Sequence, residues 1–334
     1  MKVLVTGAAG YVGSSVVSAL RDAGDEPIAL DDLSHGYPEF LDAGPSYVGD
    51  IADRAVVHRV FTDHPDIEIT IHCAARTVVD ESLRDPLTYY RENVGKAVEL
   101  FGALLDHGCD RLIFSSSAAV YGEGVAGLVT EESPVAPASP YAATKLTVER
   151  ILDDLCAATP LNALSLRYFN PIGADPFLRS GPYDPEPTHA LGQLLRASTT
   201  GEPFRIHGRD WDTPDGTPIR DFVHVWDVAW AHVAAAHRWS AIAIGSRHEV
   251  VNVGSGRATT VRQLADTFNR YAPAPVTIRY DDRRPGDVVG CYTDTAKAQR
   301  MLAWRPRYDV GAAIRDALRW SRRWAERRYR EDSG

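Results

Sequence analysis

The chain has 334 residues, of which 44% are hydrophobic and 24% charged, an ordinary globular composition with room for about two domains of roughly 150 residues. Acidic residues outnumber basic ones 45 to 36, giving a net charge of −9. No global basic field therefore exists for nucleic acid or anionic lipid, and any phosphate-bearing ligand must be held by local groups. Cysteines at 73, 109, 156 and 291 form no CxxC pair and are too sparse for a disulfide scaffold. No apolar run nears the ~18 residues of a membrane span, and the opening MKVLVTGAAG turns to glycine too early for a signal peptide. The expectation is a soluble, cytoplasmic protein with a large core.

In chain order, residues 2–6 (KVLVT) predict a buried strand, and G-A-A-G-Y-V-G follows at once from Gly7 to Gly13. A helical pattern runs through Val16, Val17 and Leu20 to about Ala23. Residues 27–30 predict the next strand, ending at Asp31 and Asp32. Apolar runs at 46–48, 68–72, 111–115 and 161–166 alternate with helix-length stretches, which argues for a parallel sheet covered on both faces. Five prolines within 171–187 make that stretch an irregular loop, and another follows at 208–220. The predicted architecture is α/β: a doubly wound parallel (Rossmann) sheet over 1–170, with a return near 221–253 that includes a strand at 250–253. A smaller, discontinuous α/β substrate domain is expected over 171–220 and 254–334. The tail carries seven arginines over 315–330, with Trp320 and Trp324 one turn apart. It reads as a terminal helix that packs its tryptophans on the body and shows its arginines to water, rather than as a membrane-surface helix.

A Gly-x-x-Gly-x-x-Gly turn opening a βα unit suits a pyrophosphate. Glycines allow close backbone approach, and the helix N-terminus offers free N–H groups and a favourable dipole. Asp31 lies 18 positions beyond Gly13, near the spacing of about 20 for an acid that binds the adenosine ribose. A carboxylate there accepts from the ribose hydroxyls and repels a 2′-phosphate. No Arg or Lys stands between Arg21 and Arg54, so NAD is favoured over NADP.

Tyr141 and Lys145 stand in S-P-Y-A-A-T-K, with Pro140 suited to a first helical turn and Ser139 to its cap. At i and i+4 they share a helix face. A free tyrosine titrates near pH ~10, and lowering it by about three units corresponds to roughly 4 kcal/mol. A neighbouring ammonium and a positive nicotinamide ring both favour phenolate, so this tyrosine is expected to be lowered far enough to act as base on a carbinol. Ser115 and Ser117 follow the fifth predicted strand in F-S-S-S-A-A-V-Y-G, where ligands gather in a doubly wound sheet.

Together T-G-A-A-G-Y-V-G (6–13), S-S-S-A-A-V-Y-G (115–122), S-P-Y-A-A-T-K (139–145), R-Y-F-N-P-I-G-A (167–174), T-P-D-G-T-P-I-R-D-F-V-H-V (213–225) and R-R-P-G-D (283–287) resemble the extended short-chain dehydrogenase/reductase family, and within it the UDP-glucose 4-epimerases, over nearly the whole chain. The resemblance implies that Tyr11, Val12, Asp31, Asp32, Leu33, Ser34, Gly36, Asp50 and Ile51 line the adenosine half of NAD. It assigns Cys73, Ala74, Ala75, Thr77, Asn93, Lys145 and Phe169 to the nicotinamide half, with Ser115 beside them. Asn170, His189, Ala190, Leu191, Arg205, Ile206, His207, Arg220, Arg284 and Asp287 would hold the UDP portion, with Cys291 near the sugar. It also implies the chemistry: Tyr141, with Ser117 and Lys145, takes the sugar 4-hydroxyl proton while C4 gives hydride to NAD. The 4-keto sugar then turns and takes the hydride back on its other face. No metal is expected, and a homodimer through helices near 84–107 and 140–157 is implied.

UDP-glucose/UDP-galactose is the leading substrate pair. Cys291, where the glucose/galactose enzymes carry tyrosine, supports a UDP-N-acetylhexosamine. A UDP-glucuronate would need a carboxylate partner, which Arg76 or Arg179 could supply. Thr77, Ala119, Ala190 and Gly192 depart from the glucose epimerases. Ala118 and Ala119 lack the acid pair a 4,6-dehydratase needs, Asp31 opposes an NADPH-dependent reductase, and the intact Ser–Tyr–Lys set opposes a non-catalytic binder.

Overall fold

A computed structural model of the chain describes residues 1–41, 44–122, 126–242, 247–283 and 288–331. The first half alternates strand and helix: β1 (Lys2–Thr6), α1 (Tyr11–Asp22), β2 (Glu26–Asp31), β3 (Ser46–Val48), α2 (Arg54–Asp63), β4 (Ile67–His72), α3 (Val79–Arg84), α4 (Pro86–Tyr90), α5 (Lys96–Asp106), β5 (Arg111–Ser117), β6 (Gly127–Val129), α6 (Pro140–Ala158) and β7 (Asn162–Tyr168). After β7 come β8 (Asn170–Ile172), α7 (Ala190–Thr200), β9 (Phe204–His207), β10 (Ile219–Arg220), β11 (Phe222–His224), α8 (Val225–His237) and α9 (Trp239–Ile242). The remainder holds β12 (His248–Val253), β13 (Thr259–Thr260), α10 (Val261–Tyr271), β14 (Ile278–Asp281), β15 (Cys291–Thr293), α11 (Ala296–Leu302) and α12 (Val310–Glu331).

Seven strands form one sheet in the order β12-β7-β5-β4-β1-β2-β3, every pair parallel. The doubly wound sheet expected from the alternation is present, and the segment containing 250–253 returns to it as the edge strand β12, registered Val253 to Tyr168. One face is covered by α1, α8 and α11 through Val16, Leu20, Val228, Val233, Ala298 and Leu302. The other is covered by α2, α5 and α6 through Val57, Val60, Leu100, Leu104, Val148 and Leu152. A separate core unites α7, β9, α10 and α12 around Leu191, Leu194, Phe204, Leu264, Phe268 and Ile314. Residues 296–304, expected with this second unit, instead pack into the first core through Ala298, Leu302 and Trp304.

Capping follows the local sequence. The Ser139 hydroxyl accepts from the Ala142 N–H at 3.2 Å and starts α6 with Pro140 in its first turn. Thr260 and Gln263 form a capping box on α10. On α12, Trp320 is fully buried and stacks on Trp324, as the tail's pattern suggests.

Candidate active site

β1 lies between β2 and β4, so the loops that follow β1 and β4 leave on opposite sides and open the crevice where such sheets bind ligands. The two loops touch at Gly7, whose φ is +67° and whose added Cβ would lie 2.5 Å from the Ala74 nitrogen. A Cβ on Gly13 would lie 2.0 Å from the Gly7 carbonyl oxygen. α1 has Gly10 at its cap and no acid in its first turn, so its N-terminal N–H groups stay open to an anion. This cradle fits a dinucleotide pyrophosphate.

Asp31 is buried at the end of β2; its two oxygens accept from the Ala9 N–H at 2.9 Å and the Leu33 N–H at 2.8 Å. Burial raises its carboxyl above the ordinary value, against the pull of those two bonds. For Asp32, burial is outweighed by the Ser34 hydroxyl and N–H and by Lys96, and the carboxyl is held below its usual value. Lys96 reaches across from α5 to pair with Asp50 at 2.7 Å and Glu92 at 2.7 Å, and lies 3.9 Å from Asp32. Sequence spacing along β2 gave no sign of this lysine, since it comes from the next-but-one crossover.

A cleft of about 640 Å³ runs from the glycine cradle into the second unit. It gathers Gly7, Gly10, Tyr11, Val12 and Gly13; Asp31, Asp32, Ser34, Gly36 and Ile51; Cys73, Ala74, Ala75 and Thr77; and Ser115, Ser117, Tyr141 and Lys145. Phe169, Asn170, His189, Ala190, Arg205, Ile206, His207 and Arg220 continue its walls. Five expected residues do not line it. Leu33 turns its side chain into the core beside α1, and Leu191 is fully buried in the second core. Asp50 is spent on the Ala52 N–H and Lys96. Asn93 bridges the Arg76 N–H and carbonyl at 2.8 and 3.0 Å and the Thr144 hydroxyl at 3.1 Å, so it holds the 73–77 loop to α6. Cys291 packs against the cluster of Val120, Tyr121, Val129 and Phe169. Arg284 and Asp287 lie outside the described residues.

Gly192, one of the departures noted above, has a physical reason. A Cβ there would lie 2.8 Å from the His189 ring, whose Nδ1 accepts from the Gly192 N–H at 3.1 Å. Arg179 is bound to Asp22 at 2.7 and 2.9 Å and to Asp175, away from the cleft lining, which removes it as a carboxylate partner for a uronate. Arg76 lines the cleft but pairs with Glu81 at 2.8 Å.

On α6, Tyr141, Lys145 and Glu149 form one stripe at successive helical turns. Lys145 is buried and donates from Nζ to the Ser115 carbonyl at 2.7 Å, and burial lowers its ammonium to about 8. Glu149 takes the Ser116 hydroxyl at 2.6 Å and the guanidinium of Arg167 at 2.6 and 2.9 Å, all buried. Burial raises the Tyr141 phenol above its ordinary value, and interaction with the Ser117 hydroxyl draws it part of the way back. The expected lowering by Lys145 is not what this geometry produces, because the ammonium serves the β5 carbonyl.

Behind this stripe runs a hydrogen-bond chain that the sequence did not disclose. His232 Nδ1 faces the Val228 carbonyl at 2.9 Å and donates to it, and Nε2 meets the Tyr168 hydroxyl. The Tyr168 oxygen lies 2.6 Å from the Ser115 hydroxyl, which in turn lies 3.1 Å from the Cys73 sulfur. His232 is buried and burial lowers its pKa to about 4, so the chain stays neutral.

A parallel sheet with a glycine cradle at its switch point, an acid behind it and a Ser–Tyr–Lys set on the neighbouring strand ends defines a dinucleotide-dependent protein of the Rossmann class. The sequence profile of the NAD dependent epimerase/dehydratase family matches residues 3–254, and the chain belongs to that family. It is 40% identical over 324 residues to the UDP-glucose 4-epimerase of Azospirillum brasilense, covering 96% of this chain and 92% of that one. Among solved structures, the Stenotrophomonas maltophila UDP-glucose-4-epimerase with bound NAD and formylated UDP-arabinopyranose superposes with a TM-score of 0.91 at 32% identity, covering 98% and 99% of the two chains. The Bifidobacterium longum UDP-glucose 4-epimerase in complex with NAD+ and UDP gives 0.89 at 31%, covering 97% and 98%.

Proposed function

We propose that the protein is an isomerase, an NAD-dependent 4-epimerase of a UDP-hexose, with UDP-glucose and UDP-galactose as its substrate pair in carbohydrate metabolism. The observation that carries this reading is the single cleft joining the glycine cradle, the Ser117–Tyr141–Lys145 group and the arginine-bearing wall of the second unit. Bound NAD supplies a reversible hydride acceptor and, oxidised, a positive charge that favours the Tyr141 phenolate.

Tyr141 Oη takes the proton of the sugar 4-hydroxyl as hydride leaves C4, giving a 4-keto sugar. Ser117 donates to the same oxygen, and Lys145 holds the β5 end that carries Ser115 and Ser117. The keto sugar turns about its link to the diphosphate, hydride returns on the opposite face and Tyr141 gives the proton back. Asp31 accepts the adenosine ribose hydroxyls and repels a 2′-phosphate. Arg220 and Arg205 suit the diphosphate in a chain of net negative charge, although Arg205 is also paired with Asp281 at 3.0 Å. Arg284 and Asp287 are assigned to the UDP portion by the resemblance.

A neutral sugar is favoured over a uronate because Arg179 is engaged elsewhere and Arg76 is neutralised by Glu81. Cys291 supports an N-acetylated sugar only indirectly, through the packing of Phe169. We also infer a cytoplasmic homodimer: Leu83 on α3, Leu87 on α4 and Val98 on α5 are 57%, 65% and 45% exposed, apolar side chains suited to a second copy. Among the described residues, no helix is long and apolar enough to cross a membrane. The test is to incubate the purified protein, without added cofactor, with UDP-glucose, UDP-N-acetylglucosamine and UDP-glucuronate in turn. A C4 epimer of UDP-glucose supports the reading; no epimer from any of them, even with NAD added, overturns it.

A further inference from the structure

Resting on the reading of the cleft as an NAD site, we propose that Tyr183, Trp320 and Trp324 are positioning residues that strap the adenosine end of the cleft shut and keep the cofactor bound between turnovers. The adenosine wall is the loop after β2, with Asp31, Asp32, Ser34, His35 and Gly36 lining the cleft, and Tyr183 of the 171–187 loop lines it as well. Three segments far apart in sequence meet there. The Tyr183 hydroxyl donates to the His35 carbonyl at 2.8 Å, and its ring meets Phe40 at 5.5 Å. Tyr37, whose N–H donates to the Ala9 carbonyl in the glycine turn at 3.0 Å, packs edge-on against Trp324 at 4.5 Å. Trp320 stacks on Trp324 at 5.3 Å, and its indole N–H donates to the Pro182 carbonyl at 2.7 Å.

The fit is close, since a Cβ on Gly181 would lie 2.6 Å from the Trp320 ring. A second latch fixes the same loop to the first unit, where Arg179 binds Asp22 at the end of α1. In this proposal the 34–40 loop lifts as the dinucleotide leaves, and lifting it breaks the Tyr183–His35 bond and separates Tyr37 and Phe40 from the two tryptophans. The catalytic cycle proposed above regenerates NAD in place, so release serves no step of it. A strap that slows release costs the reaction nothing.

The test loads the full-length enzyme with radiolabelled NAD, chases with excess unlabelled NAD and follows the loss of label from native protein, Trp324→Leu and Tyr183→Phe. Each variant is expected to release NAD about fivefold faster, the scale of one lost aromatic contact or hydrogen bond. Trp324→Leu is expected to keep the native kcat at saturating NAD, with the cofactor-free protein still folded. If Trp324→Leu does not fold, Tyr183→Phe, which keeps the ring, decides. Native release rates in the folded variants overturn the strap while leaving the epimerase reading intact. Failure of the native protein itself to take up NAD overturns both.

Discussion

Lys145 donates to the Ser115 backbone carbonyl at 2.7 Å and thereby ties α6 to the end of β5. The contact is buried, and burial lowers the ammonium to about 8 from an ordinary 10.5. Between those values the unfolded chain still holds a proton that the folded chain has released, so this lysine makes stability rise with pH from about 8 to about 10.5. Lys145→Met removes the titration. Denaturant unfolding at pH 7.5, 8.5 and 9.5 is expected to show native stability gaining on the variant as pH rises; parallel curves contradict the buried-ammonium assignment.

Tyr141→Phe deletes the proposed base and keeps the ring. Turnover is expected to fall by about 10²–10⁴, with melting temperature and NAD content unchanged. Because burial holds the phenol above its ordinary value, the phenolate fraction and the native rate should rise with pH through neutrality. Near-native turnover in the variant rules Tyr141 out as the base.

Glu149→Gln leaves the Arg167 guanidinium buried without its carboxylate, since the two side chains are only 4% and 7% exposed. The expected loss is about 3–5 kcal/mol in urea unfolding. A loss under about 1 kcal/mol would mean that the pair contributes no more than a surface ion pair.

Asp31→Ala removes the acceptor of the Ala9 and Leu33 N–H groups as well as the proposed ribose contact. NAD affinity is expected to fall roughly ten- to a hundredfold, the scale of a hydrogen bond to a charged group. Titration calorimetry showing native affinity would remove Asp31 from the cofactor site.

What was legible in the sequence is what is local along the chain. Gly7 to Gly13 occupy one turn, Asp31 ends the next strand, and Tyr141 and Lys145 are one helical turn apart, so spacing and secondary structure alone bring them to the same crevice. Lys96, Tyr183 and Arg179 escape such reading because each acts on residues of a different crossover or an irregular loop, where no period constrains which side chains meet. The same reason explains the misplaced cleft residues. Leu191 and Asn93 sit in stretches of sequence beside the site, yet helix phase turns Leu191 into the core and the bonds to Arg76 and Thr144 turn Asn93 into a brace. Residues 296–304 follow the second unit in sequence but return to the first sheet, where α11 packs against β12 and α8.

Epimerisation by hydride removal and return predicts that the hydrogen at C4 never leaves the active site. UDP-galactose carrying deuterium at C4 should be incubated with the purified protein in ordinary water, with no cofactor added, and the UDP-glucose product examined by NMR. Full retention of deuterium at C4 is the predicted result. Loss of the label to solvent, or no UDP-glucose from protein replete with NAD, would contradict it.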